Sequence, residues 1–281
     1  MDKRQIEEAF FKGLMIASTV IIVGTLFAII AVVVLKGAPS LSLSMLTQTS
    51  KGGYYLGKGG GILNAIIGSL YLAFGATALS FIIALPVALY LREYAHNRFA
   101  SFVRLSLDIL WGVPSIVYGA FGFAIMLYFG IRACLLGGII ALTLLMLPIM
   151  TRAMDEVMRM VPYELREASY AVGSTKLEVL LRVVSRQALP GILTAVLLAF
   201  GRGIGDAASL LFTAGYTDYI PHSLFDPAAS LPLAVFFQLG TPFPEVQERA
   251  YASAVILLVI ILSTSIISRL LTKRWTKFVI K

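Results

Sequence analysis

Long apolar runs without charge constrain this chain more than any other feature. The run 13–35 contains no charged residue, and about 20 helical residues are enough to cross the hydrocarbon core of a bilayer. Further apolar runs occupy 62–91, 105–131, 133–150, 190–212 and 250–267. Backbone polar groups cannot stay unpaired in lipid, so each run is expected to be a helix. The sequence therefore predicts an all-α, multi-pass membrane protein with six transmembrane helices.

The composition and the rare residue types exclude several classes of function. The chain is 58% hydrophobic and 14% charged, far from the composition of soluble domains. Its net charge is +8, but the basic residues lie between apolar runs and are not clustered on one face. We therefore expect the chain to contact membrane lipid and not to bind nucleic acid. Cys134 is the single cysteine, and His96 and His222 are the two histidines. We therefore expect no disulfide, metal site or cofactor.

The first run is expected to stay in the mature protein and to be followed by an exposed loop over 37–61. No small-residue cleavage site follows Val34. In the loop, Gly52, Gly57 and Lys58 have the spacing of a phosphate-binding loop, but Gly59 stands where Ser or Thr would hold magnesium. The chain is therefore not expected to bind ATP itself.

Prolines and short runs modify this simple picture of spans. Pro114 is expected to kink or break the third span near its start. The apolar piece 231–239 is too short to span and is predicted to be re-entrant or interfacial. We divide the chain into an N-terminal helix with an extracytoplasmic loop (1–61), a core (62–270) and a basic tail (271–281).

Lysine and arginine are unevenly distributed between the predicted loops. Seventeen fall in the N-terminal segment, in 92–104, in 151–190 and in the C-terminal tail, whereas five fall in the alternate loops. Cytoplasmic loops carry the excess of positive charge. With six spans, we expect both termini and the interval 151–190 to face the cytoplasm.

The segment 162–190, between the fourth and fifth spans, is predicted to form two helices joined by a bend. Pro162 suits the first position of a helix, Gly173 suits a left-handed stop, and Thr175 with Glu178 has the spacing of a capping box. The second helix is expected to pair Glu178 with Arg182. Its predicted apolar face consists of Leu177, Leu180, Leu181 and Val184.

The 162–190 segment resembles the EAA loop of the membrane subunits of ABC importers. Glu167, Ala168, Ser169, Gly173 and Val183 fall in register with that signature, whereas Ser185-Arg186 replaces its closing Leu-Pro. In the family this loop docks into a cleft of the ATPase subunit. The resemblance thus implies the type I ABC importer permease fold, with ATP-driven motion entering the membrane at this segment.

Three charged residues lie inside predicted spans: Asp108, Arg202 and Asp206. Each costs about 2.5–3.5 kcal/mol at a helix centre on insertion scales, so such residues face a cavity or a partner. Two interpretations stay open for Arg202: it contacts an anionic substrate, or it forms a structural ion pair with Asp206 or Asp108. Arg152, just after the fourth span, is a second basic candidate for the substrate path or a positive-inside anchor.

Three further stretches resemble the phosphate-transport branch of the ABC permeases, in its PstA-type more than its PstC-type subunit. They are GVPSIVYG at 112–119, ALPGI at 188–192 and GRGIGDAASLLFTAG at 201–215. In that branch an acid, usually Glu, follows the arginine, and here it is Asp206. A guanidinium suits this substrate because it donates bidentate hydrogen bonds to phosphate and stays charged in a dehydrated site.

The resemblance implies a permease subunit that forms half of the path of an ATP-driven importer for inorganic phosphate in the inner membrane of a prokaryote. Implied partners are a homologous PstC-type permease, two cytoplasmic PstB-type ATPases and an extracytoplasmic PstS-type phosphate-binding protein. The ATPases would hydrolyse ATP, so this chain is not expected to be an enzyme. The alternatives are an importer of sulfate, molybdate or tungstate, an ion-coupled carrier, and a membrane enzyme, for which the intramembrane charges offer no catalytic set.

Overall fold

Helices build nearly all of the described structure. The computed structural model of the chain describes residues 3–51, 59–93 and 98–275. The longer helices are α1 (Lys3–Gly37), α3 (Leu63–Glu93), α4 (Arg98–Gly112), α5 (Ser115–Tyr128), α6 (Leu135–Arg159), α9 (Ser185–Ile204) and α12 (Pro244–Trp275). The shorter ones are α2 (Leu43–Thr47), α7 (Tyr163–Ala171), α8 (Lys176–Glu178), α10 (Leu210–Thr213) and α11 (Leu231–Leu239). In these residues five helical stretches are long and apolar enough to cross a membrane, or six if the bent pair α4–α5 is one span. The predicted all-α, multi-pass fold is confirmed.

The third predicted span is broken into α4 and α5, which meet at an angle of 102°. Pro114, at φ −58° and ψ 138°, has no N–H to donate and disfavours a helical conformation in the residue before it. The Tyr118 hydroxyl donates to the Leu110 carbonyl oxygen at 2.7 Å and so links the two arms. The predicted break at Pro114 is confirmed, but it lies in the middle of the element because α4 already begins at Arg98.

Helix α6 lies at the centre of the core and packs against both α3 and α9. Its four methionines at 146, 150, 154 and 158 are fully buried; their spacing of four places them on one helix face. Flexible thioether side chains of this kind fill irregular gaps between helices. Gly203 of α9 lets that helix approach, because a Cβ atom there would lie 2.5 Å from Met146 Sδ. The helix runs on to Arg159, beyond the predicted end of the fourth span at Met150.

The fifth span begins and ends earlier in the chain than predicted. Helix α8, a π-helical turn (Val179–Val184) and α9 form one continuous helix over Lys176–Ile204. Pro190 therefore lies inside the helix and not at its start, as neighbouring groups can pair with the carbonyl that proline frees. The predicted end near Phe212 is also wrong. The helix stops at Ile204, and the Asp206 carboxylate then accepts the Ser209 N–H at 2.8 Å, which holds the chain in a turn.

Residues 205–243 close one end of the helix bundle. The predicted apolar piece is a helix, α11, of nine residues, too short to span. It packs against α12 and α3, and the Ser69 hydroxyl of α3 accepts the Leu231 N–H at 2.7 Å. This short helix thus packs against other helices of the protein at this end of the bundle.

The N-terminal helix α1 packs chiefly against α12, where the Lys36 ammonium lies 5.1 Å from the centre of the Tyr251 ring. The described residues of the interval 37–61 contain more regular structure than the predicted exposed loop. They include a 3-10 turn (Ala38–Ser40), α2, and strands β1 (Ser50–Lys51) and β2 (Gly59–Gly60), which pair antiparallel; Met45 is buried. Gly52, Gly57 and Lys58 lie outside the described residues, and the division into three domains stays a prediction.

Candidate coupling surface and substrate path

The 162–190 segment contains the predicted helix, bend and helix. Helix α7 begins one residue after Pro162. Gly173 has φ +85°, a conformation that disfavours residues with a Cβ atom. The Thr175 side chain accepts the Glu178 N–H at 3.4 Å, and the Glu178 carboxylate accepts the Thr175 N–H at 3.0 Å. This capping box starts the long helix 176–204 in a fixed direction.

The predicted coupling residues lie on an exposed surface. Glu167, Ala168 and Gly173 are exposed, and Ser169 is half-buried with its hydroxyl donating to the Leu165 carbonyl oxygen at 2.7 Å. Large apolar side chains with more than half of their surface exposed occur in this segment and just before it: Met160, Tyr163, Val172, Leu177 and Leu181. Exposed apolar groups clustered among charged ones are typical of a protein–protein contact. We call this set, together with the four coupling residues, the coupling surface.

The predicted apolar face of the second helix is only half correct. Leu180 and Val184 are buried, whereas Leu177 and Leu181 are 64% and 52% exposed. The π-helical turn Val179–Val184 adds a residue to one turn, so a pattern with the α-helical period changes face there. Val179 is buried in their place. The predicted pair of Glu178 and Arg182 is present at 3.8 Å.

A buried ion pair fastens the coupling surface to the membrane helices. Arg166 of α7 lies 2.7 Å from the Glu93 carboxylate at the end of α3, and the two side chains are only 9% and 7% exposed. The Lys176 ammonium lies 3.9 Å from the other Glu93 oxygen but is 71% exposed. Glu93 was not predicted from the sequence, because its partner is far away in the chain.

The intramembrane pair of Arg202 and Asp206 is the first candidate for the substrate path. Arg202 Nη1 lies 3.2 Å from Asp206 Oδ1; the arginine side chain is 48% exposed, and the aspartate 3%. Asp206 Oδ2 accepts hydrogen bonds from the Ser209 N–H at 2.8 Å and the Ser209 hydroxyl at 2.6 Å. The carboxylate is thus fixed on one side and holds the guanidinium on the other. Although α9 ends between them, the two residues still meet.

Asp108 and Arg152 form a separate pair on α4 and α6. Arg152 Nε lies 2.8 Å from Asp108 Oδ1, with exposures of 27% and 48%. Of the two structural partners proposed for Arg202, the structure therefore selects Asp206 and gives Asp108 to Arg152. In the described part of the chain no ion pair joins the two groups. The four residues predicted for the substrate path thus form two ion pairs.

Asp155 is a buried carboxylate that was not predicted from the sequence. Its Oδ2 lies 3.2 Å from Arg104, 3.8 Å from Arg152 and 2.8 Å from Arg159. The side chain is 1% exposed, and Oδ1 has no hydrogen-bond partner among the described residues. The spacing of Arg152, Asp155 and Arg159 places them on one face of a helix. The spacing of these three residues is present in the sequence. It indicates a shared helix face only if α6 extends past Met150, which was not predicted.

Comparison with known proteins places this architecture in a family. The model of the family described as "Binding-protein-dependent transport system inner membrane component" matches residues 84–277. The phosphate transport system permease protein PstA of Haemophilus influenzae is 33% identical over 268 residues, which cover 95% of this chain and 94% of that protein.

Two solved structures share the fold. One is a bacterial ABC transporter involved in the import of alginate, with a TM-score of 0.66, 12% identity, and coverage of 96% of this chain and 98% of that one. The other is the MetNI methionine ABC transporter in an inward-facing conformation, with a TM-score of 0.64, 20% identity, and coverage of 76% and 95%. At these identities the likeness establishes the fold, the type I ABC importer permease fold.

Proposed function

Because the chain belongs to the family of binding-protein-dependent inner membrane transport components, in its PstA branch, we propose that it is the permease subunit of an ATP-driven phosphate importer in a prokaryotic inner membrane. It forms half of the translocation path beside a homologous PstC-type permease. Two cytoplasmic PstB-type ATPases supply the energy, and an extracytoplasmic PstS-type protein delivers phosphate. The name of the relative supports phosphate over sulfate, molybdate or tungstate, and the family does not favour an ion-coupled carrier.

The coupling surface is the contact with an ATPase subunit. It combines the exposed residues Glu167, Ala168 and Gly173 with exposed apolar side chains. The excess of lysine and arginine near the same end of the spans supports a cytoplasmic location for this surface and for both termini. Asp108 and Arg152 lie towards this end, because α6 runs on from Arg152 to Arg159 just before the coupling surface. They line the inner mouth of the path.

Arg202 is the phosphate contact within the membrane. Asp206 engages Nη1, and the half-exposed guanidinium keeps further N–H donors for an anion. Release of Arg202 by Asp206 would leave the buried Oδ1 without its cation, which is costly. Phosphate therefore binds to Arg202 while Asp206 stays in place and orients it. The acid acts as a positioning residue and is not displaced by the substrate.

One observation carries the proposal: Leu177 and Leu181 of the coupling surface lie on the same uninterrupted helix as Arg202. Lys176 is its first residue, and Arg202 lies near its end at Ile204. At 1.5 Å per residue the two are about 39 Å apart along the axis. A rigid movement of the residues that follow Lys176 on the ATPase thus reaches the phosphate contact along a single helix.

Phosphate uptake by the reconstituted four-component importer tests this function. Arg202→Gln should lower the uptake rate by about tenfold or more, since one charge-assisted bidentate contact is lost, and Arg202→Lys should restore part of it. Arg186→Gln, a change of an exposed arginine on the same helix, is the matched control. Each complex is first checked for assembly with the ATPase. Wild-type uptake in both Arg202 variants would refute the substrate contact, and a wild-type complex that imports sulfate but no phosphate would refute the assigned substrate.

A further inference from the structure

A cleft of about 550 Å³ lies between α9 and α12 and has an arginine at each end. Phe200 and Ile204 of α9 pack against Leu257 and Ile261 of α12, while Thr194 lines the same cleft as Arg269. The two helices are therefore antiparallel, with Arg202 near Ile261 and Arg269 near Thr194. Eight residues of helix separate the two ends, which is about 12 Å along the axis.

The two arginines differ in their charge balance. Arg202 has the Asp206 carboxylate at 3.2 Å. Arg269 is exposed to the cleft, and the described residues place no carboxylate within ion-pair distance of it. An arginine that shares a cavity with a second arginine and has no acidic partner there attracts an anion. The inner end of the cleft thus carries positive charge that the described residues do not neutralise.

Hydroxyl groups on α12 complete the donor set around Arg269. Ser265, Ser268 and Arg269 are spaced so that they lie on one helix face, and all three line the cleft. The Thr194 and Thr264 hydroxyls donate to their own helices, to Pro190 at 2.9 Å and Ile261 at 2.8 Å. The two serine hydroxyls make no hydrogen bond within the described part of the chain, so they remain available as donors.

This donor set differs from that of a simple topological anchor. An anchoring arginine needs only the membrane surface, whereas Arg269 shares a cavity with Arg202 and stands beside two serines that have unused donors. A guanidinium with adjacent hydroxyls matches a tetrahedral oxyanion, whose oxygens accept several hydrogen bonds at once. The phosphoryl group of a phospholipid headgroup has the same chemistry as inorganic phosphate.

We propose that Arg269, Ser265 and Ser268 form a second phosphoryl-binding position, separate from Arg202. For free phosphate, this inference rests on the proposed function: the anion leaves Arg202, moves along the α9–α12 cleft and pauses at Arg269 before it reaches the cytoplasm. The axial separation of about 12 Å makes the two positions successive. Arg269 then holds the anion after the central contact has released it.

Protection of a cysteine within the cleft tests binding independently of transport. Thr264→Cys places a thiol in the lining without removing a proposed ligand, in a Cys134→Ser background and in the fully assembled importer. In phosphatidylcholine nanodiscs, millimolar inorganic phosphate should slow alkylation of this thiol, equal chloride should not, and Arg269→Gln should weaken the protection by about tenfold in phosphate concentration. In phosphatidylcholine the choline ammonium balances the phosphoryl charge, so protection that appears only when phosphatidylglycerol is added assigns the position to an anionic lipid headgroup. No protection by either phosphoryl source would overturn the proposal.

Uptake kinetics separate this inference from the proposed function. Arg269→Gln and the double change Ser265→Ala/Ser268→Ala should slow phosphate uptake severalfold while ATP hydrolysis stimulated by the binding protein persists. Lys12→Gln, which removes an exposed charge on α1, is the control. Wild-type rates in both cleft variants, in neutral and in anionic vesicles, would overturn the transit position and leave Arg202 as the phosphate contact. A wild-type importer that takes up no phosphate would refute the proposed function, while the protection assay still decides on the cleft.

Discussion

Neutralising Glu93 should release α7, and with it the coupling surface, from the end of α3. The Arg166–Glu93 pair measures 2.7 Å and is almost completely desolvated, with exposures of 9% and 7%. Removing one partner of a buried pair costs about 3–5 kcal/mol, because the other charge stays buried without compensation. In Glu93→Gln no carboxylate of the described residues lies within ion-pair distance of Arg166, and the Tyr163 ring is 5.9 Å away. The cost of this change should therefore fall at the upper end of that range.

The reverse change should cost less. In Arg166→Gln, the Glu93 carboxylate keeps the Lys176 ammonium at 3.9 Å, although this exposed lysine contributes at most about 1 kcal/mol. We therefore expect Glu93→Gln to cost the most free energy, Arg166→Gln to cost less, and Lys176→Gln to cost far less than either. The double change Glu93→Gln/Arg166→Gln leaves no buried charge, so it should be milder than either single change.

Hydrogen exchange of the α7 amides in the membrane-embedded complex measures this cost directly. Local opening free energies set the exchange rates, and a loss of about 3 kcal/mol raises the open population by more than a hundredfold. Glu164→Gln, a change of an exposed acid in the first turn of α7, is the control and should change little. Exchange in Glu93→Gln that equals the control would refute the anchoring role, as would a double variant that exchanges faster than both singles.

Three further predictions concern the coupling surface and the core. Gly173→Val should uncouple ATP hydrolysis from uptake, because φ is +85° and a residue with a Cβ atom in this left-handed conformation costs about 1–2 kcal/mol. Gly173→Asn should keep most of the coupling; an equal ratio of phosphate taken up to ATP hydrolysed in the two variants would contradict this. Leu177→Asp and Leu181→Asp should weaken co-purification of the ATPase without lowering the Tm, since both side chains are more than half exposed; a normal ATPase yield would count against the contact. Gly203→Ala should lower the Tm through the 2.5 Å approach to Met146, and Met146→Ala should restore part of it; a double variant less stable than both singles would exclude this clash.

The features that the sequence predicted correctly depend on local chemistry. The left-handed stop at Gly173, the capping box of Thr175 and Glu178, and the break at Pro114 follow from backbone preferences of the residues themselves. The apolar piece 231–239 was predicted from its length to be too short to span, and it forms a helix of nine residues. Asp206 was one of the two acids predicted as a partner of Arg202, and the spacing of four residues between them indicated this pair.

The errors arise where packing overrides a local pattern. Pro190 was a plausible helix start, but the helix continues through it because the surrounding helices bury that residue. Leu177 and Leu181 are exposed and not buried, because a π-helical turn follows Glu178 and the α-helical period does not predict such a turn. Glu93 pairs with Arg166 of another helix, and Asp155 contacts Arg104 of α4 besides two arginines of its own helix, so their roles depend on the three-dimensional arrangement. Which acid pairs with which arginine also depended on packing: Asp206 pairs with Arg202 and Asp108 pairs with Arg152, and the substrate path itself stays a prediction.

Thiol labelling of the coupling surface shows which side of the membrane this surface faces and whether the ATPase covers it. It is the most direct test of the proposed function. Ala168→Cys in a Cys134→Ser background puts one thiol on this exposed surface. A membrane-impermeant maleimide should label it in inside-out vesicles stripped of the ATPase, should fail to label it in intact spheroplasts, and should be blocked when purified ATPase subunits are added back. Labelling from the outside of spheroplasts, or labelling that the ATPase does not reduce, would contradict the proposed coupling of ATP hydrolysis to phosphate movement through this helix.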